Sequence, residues 1–222
     1  MASNFLGQAI PQQRSSIISA NELVAREGVN LLKGMNYRDK GPLRSVFLVL
    51  PRADGYHDEW NEATDIYVFE GHDSTTVESG KAKDQLSMYQ SGRLSENGKF
   101  LKAARGFIDG VRKEPLEVQI YEKLDPGVWF DKGIFNLVDA ELVNTRDGKV
   151  FRFMLGPAGS MGNEMDWSER MMPAGEKAQA WERAKGRCEE CRAENNLTFI
   201  QIDGKATPRC QQHGGRWPGG LL

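Results

Sequence analysis

The three cysteines constrain this 222-residue chain more than any other feature. Cys188, Cys191 and Cys210 all fall within the last 35 residues, as C-x2-C, eighteen residues, then C-x2-H with His213. An odd number of thiols cannot pair off into a disulfide framework, whereas two short N/S pairs at this spacing can surround one tetrahedral Zn2+. The tail around them is Gly-rich and too small to bury a core of its own, which is where a structural metal contributes most. Four protein ligands fill the coordination shell, so the expected site is structural, with Cys188, Cys191, Cys210 and His213 as ligands. The competing reading is three ordinary thiols near a surface histidine.

Upstream, the chain has the means to form a core. Hydrophobic residues make up 39% of the chain against 27% charged, with 10 Phe, 5 Tyr and 5 Trp, which excludes a wholly disordered chain. The longest apolar run, VFLVL at 46–50, is strand-sized and far short of a membrane helix. The opening MASNFLGQAIPQQRSS has no basic-then-apolar signal pattern, so the expected location is cytoplasmic. Net charge is −2, and the region from residue 176 onward carries eight basic against six acidic residues. That distribution permits local nucleic-acid contact and does not demand it.

Residues 1–16 read as a polar, flexible N-terminus. Ser19 and Glu22 have capping-box spacing and predict a helix over 20–33, closed by Gly34. Strands are predicted at 45–50 and 65–69, a polar loop over 72–83, and a mostly helical stretch over 84–104. Further strands follow at 116–121 and 134–144, with a return strand at 149–155 after the Asp147-Gly148 turn signal. Several strands and few long helices predict an α+β fold built on a small curved sheet or barrel. The expected organisation is a barrel with its N-terminal helix over 17–156, a linker over 157–175, and a zinc-bound module over 176–222.

Six stretches stand in a telling order: Asp54-Gly55-Tyr56-His57-Asp58-Glu59, Tyr67-Val68-Phe69-Glu70-Gly71, Asp84-Gln85, Asn97, Trp129-Phe130-Asp131-Lys132-Gly133-Ile134-Phe135, and Val150-Phe151-Arg152-Phe153-Met154-Leu155. Each is unspecific alone. In this order they resemble the SRA domain (SET- and RING-associated, also called YDG) over roughly 45–155. The family counterparts are G-G-Y-x-D-D, a strand ending in Y-T-G, a D-Q pair, an N-x-A-L helix, Y-D-G-[LI]-Y and F-x-F-x-L. One residue is inserted here in the fifth.

The resemblance implies a PUA-like β-barrel that flips a modified cytosine, of the 5-methyl or 5-hydroxymethyl type, out of duplex DNA. It implies Tyr56 and Phe69 as the stacking rings. Glu59 and Glu70 stand where the family reads the base edge with an Asp and a Thr, and Asp58 takes that role if the loop is offset by one. Which of the three acids faces the base stays open, and the altered acids point to a base with a larger or polar substituent.

The residue types suit that chemistry independently. An aromatic face returns about 1–3 kcal/mol to a base taken from its stack, and a carboxylate accepts from the cytosine amine. The same residues also suit core rings and a solvated acidic face. Lys81 and Lys83, beside Gly80, are candidates for phosphate contact or for filling the hole left by a flipped base. Arg105, Arg112 and Lys113 form a second basic group with the same claim; ordinary surface cations are the alternative for both. His57 and His72, flanking the pocket stretch, read as solvated loop histidines.

The tail segment 180–197, with Arg183, Gly186, Cys188 and Cys191, resembles the opening of an HNH (ββα-metal) nuclease. Modification-dependent restriction enzymes join SRA-like and HNH domains. In HNH enzymes a histidine on the following strand activates water beside a divalent metal. Here no histidine lies between Cys191 and Cys210, and Gln201 or Ile202 near that place cannot act as a base at neutral pH. The expectation is a worn-down zinc knuckle that adds DNA contact or dimerises, with no catalytic residue. The alternatives are a modification-dependent endonuclease using Mg2+ or Mn2+, a PUA-like RNA-binding module, and a protein-interaction adaptor. The implied setting is phage defence or the reading of host modification, in a prokaryotic or phage-related source.

Overall fold

In the computed structural model the described residues are 16–28, 34–50, 58–61, 63–72, 84–146, 148–158 and 171–213. The elements run β1 (Ile17–Ser19), α1 (Ala20–Glu27), β2 (Met35–Asn36), β3 (Ser45–Val49), β4 (Glu59–Asn61), β5 (Ile66–Glu70), α2 (Glu96–Ile108), β6 (Leu116–Asp125), β7 (Val128–Asn144), β8 (Lys149–Pro157), α3 (Ala174–Ala184), β9 (Leu197–Ile202) and β10 (Lys205–Cys210).

Eight strands form one mixed sheet in the order β2-β3-β6-β7-β8-β5-β4, with β1 pairing on β7. The β3–β6 pairing is parallel and the rest are antiparallel. Three strands separate β3 from β5 along the sheet, yet Phe47 on β3 stacks on Phe69 of β5 with ring centroids 4.1 Å apart. A flat sheet cannot bring those rings together, so the sheet rolls into a barrel around them. Phe47, Phe69, Phe100, Phe135, Phe151 and Phe153 fill its core, and α2 contributes Phe100, Ala103 and Ala104 to it.

The motif stretches explain much of this scaffold. The Gln85 amide donates to the Gly71 carbonyl and accepts from the Phe151 N–H, while Asp84 accepts from the Lys149 N–H. Together they clip the end of β5 to β8. A side chain at Gly71 would meet Asn97 and Gln85 within 2.6 Å, so only glycine fits. Asp131 accepts from Gln119, from the Gly133 N–H and from Arg26, tying β6, β7 and α1 together.

Three expectations shift. The Ser19–Glu22 capping box is present, but α1 closes at Gly28, at φ 66, whose N–H bonds back to Val24; residues 29–33 lie outside the described residues. The 84–104 stretch becomes helical only at Glu96, because Ser95 caps there by accepting from the Gly98 N–H. β6 and β7 run further than predicted, the first to Asp125 and the second from Val128. Met172, Ala180, Phe199 and Ala206 pack with Leu124 and Phe130 of the barrel in one buried cluster, and Ser16 donates to Thr198 across the same junction. Among the described residues no helix is long and apolar enough to cross a membrane.

Candidate functional sites

Where β4, β5 and β7 meet the start of α3, a cavity of about 260 Å³ opens. Its lining includes Asp58, Glu59, Trp60, Tyr67 and Lys132 from the barrel, and residues 171–175 from the approach to α3. Tyr67 and Lys132 are almost fully buried and form the deep end. Glu59 is exposed and Trp60 half-buried, so they form the lip.

Asp58 sits immediately after the 51–57 stretch and turns its Oδ1 to accept from the Glu70 N–H at 2.9 Å. Burial pushes its carboxyl up to about 7; the Glu70 N–H pulls the other way, and the Glu70 and Glu122 charges add to the rise. Near neutral pH this group can therefore be an acceptor or, protonated, a donor as well.

Beneath the cavity lies a buried ion triad. Lys132 Nζ is 2.6 Å from Glu122 Oε1, and Lys177 of α3 pairs with Glu122 Oε2. The three side chains are 0–1% exposed. Burial pushes the Glu122 carboxyl up, but the two ammonium groups outweigh that and hold it below the usual range. Lys132 also sits over the Tyr67 ring, 4.8 Å from its centroid, and Lys177 over Phe130 at 4.0 Å. The triad thus bonds the tail helix to the cavity floor.

The expected base-pocket residues divide. Asp58 and Glu59 lie on the cavity, and Glu70 is buried beside Asp58. Phe69 does not line it: the ring is 0% exposed, stacked on Phe47 and, at 5.1 Å, on His72. Phe69 shares its face of β5 with Tyr67 but lies further along it, in the barrel core with Phe47, Phe100 and Phe153. His72 is likewise no solvated loop residue; burial lowers its pKa to about 4. Tyr56, His57, Lys81 and Lys83 lie outside the described residues. Of the second basic group, Arg105 donates to the Ala140 carbonyl at 2.7 Å with Asp139 at 3.7 Å, Arg112 pairs with Asp39 at 2.6 Å, and Lys113 is exposed.

The sequence reading passed over Trp60, Lys132, Glu122 and Lys177. A signal existed for one of them. Lys132 occupies the place of the residue inserted in the fifth motif stretch.

At the far side of the tail, the thiols of Cys188, Cys191 and Cys210 and the His213 ring place one ligand atom each within 4.8 Å of one another. Cys191 Sγ lies 3.5 Å from Cys210 Sγ, and His213 Nδ1 lies 3.2 Å from Cys210 Sγ and 3.9 Å from Cys188 Sγ. Around a tetrahedral zinc with ordinary bond lengths, ligand–ligand edges come to about 3.6–3.8 Å. The donor set therefore fits a metal ion of that kind with small adjustments.

Burial pushes the Cys188 thiol up, but hydrogen bonds from the Cys191, Cys210 and Glu190 backbone outweigh it and bring it to about 6, favouring the thiolate a metal needs. His213 Nε2 faces Glu190 Oε1 at 3.6 Å, and Arg209 pairs with the same carboxylate. A carboxylate behind a ligand histidine fixes the ring for coordination through its other nitrogen. The knuckle precedes the β9–β10 hairpin, and α3 closes over both through Trp181.

No family model matches the chain, and no curated protein matches it. Solved structures do. The SRA domain of SUVH5 in complex with hemimethylated CG DNA is 16% identical, with TM-score 0.45, over 70% of this chain and 95% of that one. The same SUVH5 domain bound to fully hydroxymethylated CG DNA gives 15% identity and TM-score 0.40, over 58% of this chain and 75% of that one. The modification-dependent TagI restriction endonuclease gives 15% identity and TM-score 0.43, over 94% of this chain and 73% of that one.

Proposed function

We propose that this chain binds duplex DNA carrying a modified cytosine and takes that base out of the stack into the Asp58 cavity. The observation that carries the reading is the cavity itself. It joins a carboxyl group that switches protonation near neutrality to a half-buried indole and to thioethers, within a volume suited to one heterocycle and its substituent. Ionised, Asp58 accepts from the exocyclic amine of cytosine. Trp60 and Met171 supply faces to offset the stacking the base gives up. The barrel's resemblance in motif order to base-flipping readers agrees with this use.

In the tail, Cys188, Cys191, Cys210 and His213 hold zinc. Zinc supplies cross-linking rather than catalysis there, since all four ligand positions come from protein. The hairpin that follows carries no histidine to activate water, so the chain reads as a binder.

A competition gel shift on zinc-loaded protein tests this, with matched duplexes bearing cytosine, 5-methylcytosine or 5-hydroxymethylcytosine at one site. Preference for a modified duplex is the expected result. Equal, salt-sensitive binding to all three defeats the reading. Metal-dependent nicking of modified plasmid in the same preparation would replace the binder with an endonuclease.

A further inference from the structure

Lys132 reaches the cavity through an irregularity that can be followed from sequence to side chain. It is the residue inserted between Asp131 and Gly133, in the stretch matching Y-D-G-[LI]-Y. In the β6–β7 ladder Ile120 pairs with Gly133 and Tyr121 with Asp131, which leaves Lys132 as the extra residue of a β-bulge. Gly133 takes φ 96, a conformation that glycine permits. A bulge re-aims the side chain it carries. Here the flanking Phe130 and Phe135 stay in apolar clusters, while Lys132 is directed to the cavity floor, 1% exposed. Burying an ammonium is costly, and Glu122, which also pairs with Lys177, offsets that cost from below. The arrangement holds one cation at a fixed point beside Asp58.

An acid and an ammonium side by side form a directional reader. Asp58 meets a donor; Lys132 meets an acceptor. Of the pyrimidine edges, cytosine presents an amine followed by two acceptors, ring N3 and carbonyl O2. We propose that Lys132 is a specificity-determining residue of this pocket, donating to the N3/O2 acceptor edge of the extruded cytosine while Asp58 takes the amine. The inference rests on the base-binding reading above and assigns its recognition to the inserted residue. Residues 171–175 close the cavity opposite, so the tail completes the pocket it is bonded to.

The test is a cycle between side chain and base atom on zinc-loaded full-length protein. Duplexes carry 5-methylcytosine, 3-deaza-5-methylcytosine or 2-thio-5-methylcytosine at one site; each analogue weakens one acceptor. Wild type is expected to bind at least one analogue about tenfold more weakly than 5-methylcytosine. Lys132→Met keeps the stem and leaves Glu122 its Lys177 partner, and is expected to bind all three within about twofold. Lys177→Met removes the other ammonium of the same triad from beneath the cavity and is expected to keep the wild-type discrimination. The proposal is overturned if the analogue penalty persists in Lys132→Met, or if Lys177→Met erases it equally, which would mark a purely structural role. Wild type that prefers no modified duplex over plain cytosine overturns the base-binding reading itself, a failure visible before any variant is made.

Discussion

Glu122→Gln probes the joint between barrel and tail. The substitution keeps the side chain's shape and removes the carboxylate that pairs with both Lys132 and Lys177, whose side chains are 0–1% exposed. Breaking a buried pair in this way costs about 3–5 kcal/mol. The protein's cheapest escape is to fold with one lysine deprotonated. At pH 7 that costs about 1.36 kcal/mol for each of the roughly 3.4 units below the ordinary lysine pKa, close to 4.6 kcal/mol, so the two routes agree.

The escape also fixes the pH dependence. A lysine whose folded pKa is depressed binds fewer protons in the folded state than in the unfolded one, so stability rises with pH across that window. The defect of Glu122→Gln should therefore shrink by up to about 2.7 kcal/mol between pH 7 and pH 9, relative to wild type. Urea unfolding of zinc-loaded protein, followed by tryptophan fluorescence at both pH values, measures it. A loss under 1 kcal/mol at pH 7, or one that does not change with pH, would refute the buried-triad reasoning.

Other perturbations separate the roles of individual residues. Asp58 has its folded pKa raised from about 3.8 to about 7, so its contribution is fully present below the unfolded value and is lost as pH rises through 7. Asp58→Asn should match wild type near pH 4 and exceed it at pH 8 by on the order of 2 kcal/mol after allowing for partial exposure, read from urea midpoints. Glu190→Gln should weaken metal binding about 10–100-fold without loss of a ligand, measured by competition with a chromophoric chelator. Phe69→Ala should cost about 3–5 kcal/mol as a core truncation, whereas Trp60→Ala at the cavity lip should lower modified-DNA affinity with a far smaller stability loss; thermal melts beside gel shifts distinguish the two.

Local patterns were readable where local chemistry decides the outcome. The Ser19–Glu22 box, the cores of the main strands and the four-ligand spacing all depend on neighbours a few residues away. Boundaries shifted where a nearer signal won, as Gly28 did over Gly34 and Ser95 did over Asp84. The motif residues Gln85, Gly71, Asn97 and Asp131 carry the resemblance in the sequence, and in the fold they serve as clips between strands. The cavity was harder to foresee. Glu122, Lys132 and Lys177 come from three elements; Glu122 keeps the alternation of β6, whereas Lys132 is the extra residue of the β7 bulge. No periodicity argument can anticipate a side chain whose direction is set by a bulge in its own strand.

The sheet's connectivity also sets a timetable for biosynthesis. β1 pairs with Trp129 and Phe130, and β3 lies parallel to a strand some seventy residues downstream. At about 5–20 residues per second, the N-terminal strand waits roughly 6–20 s on the ribosome before its partner is even synthesised. Until then Val46, Phe47 and Leu48 have no sheet to enter on that side, and the nascent chain presents them to whatever chaperone is at hand. Completion is non-local as well: the cavity residues 171–175 are synthesised more than a hundred residues after Asp58 and Glu59.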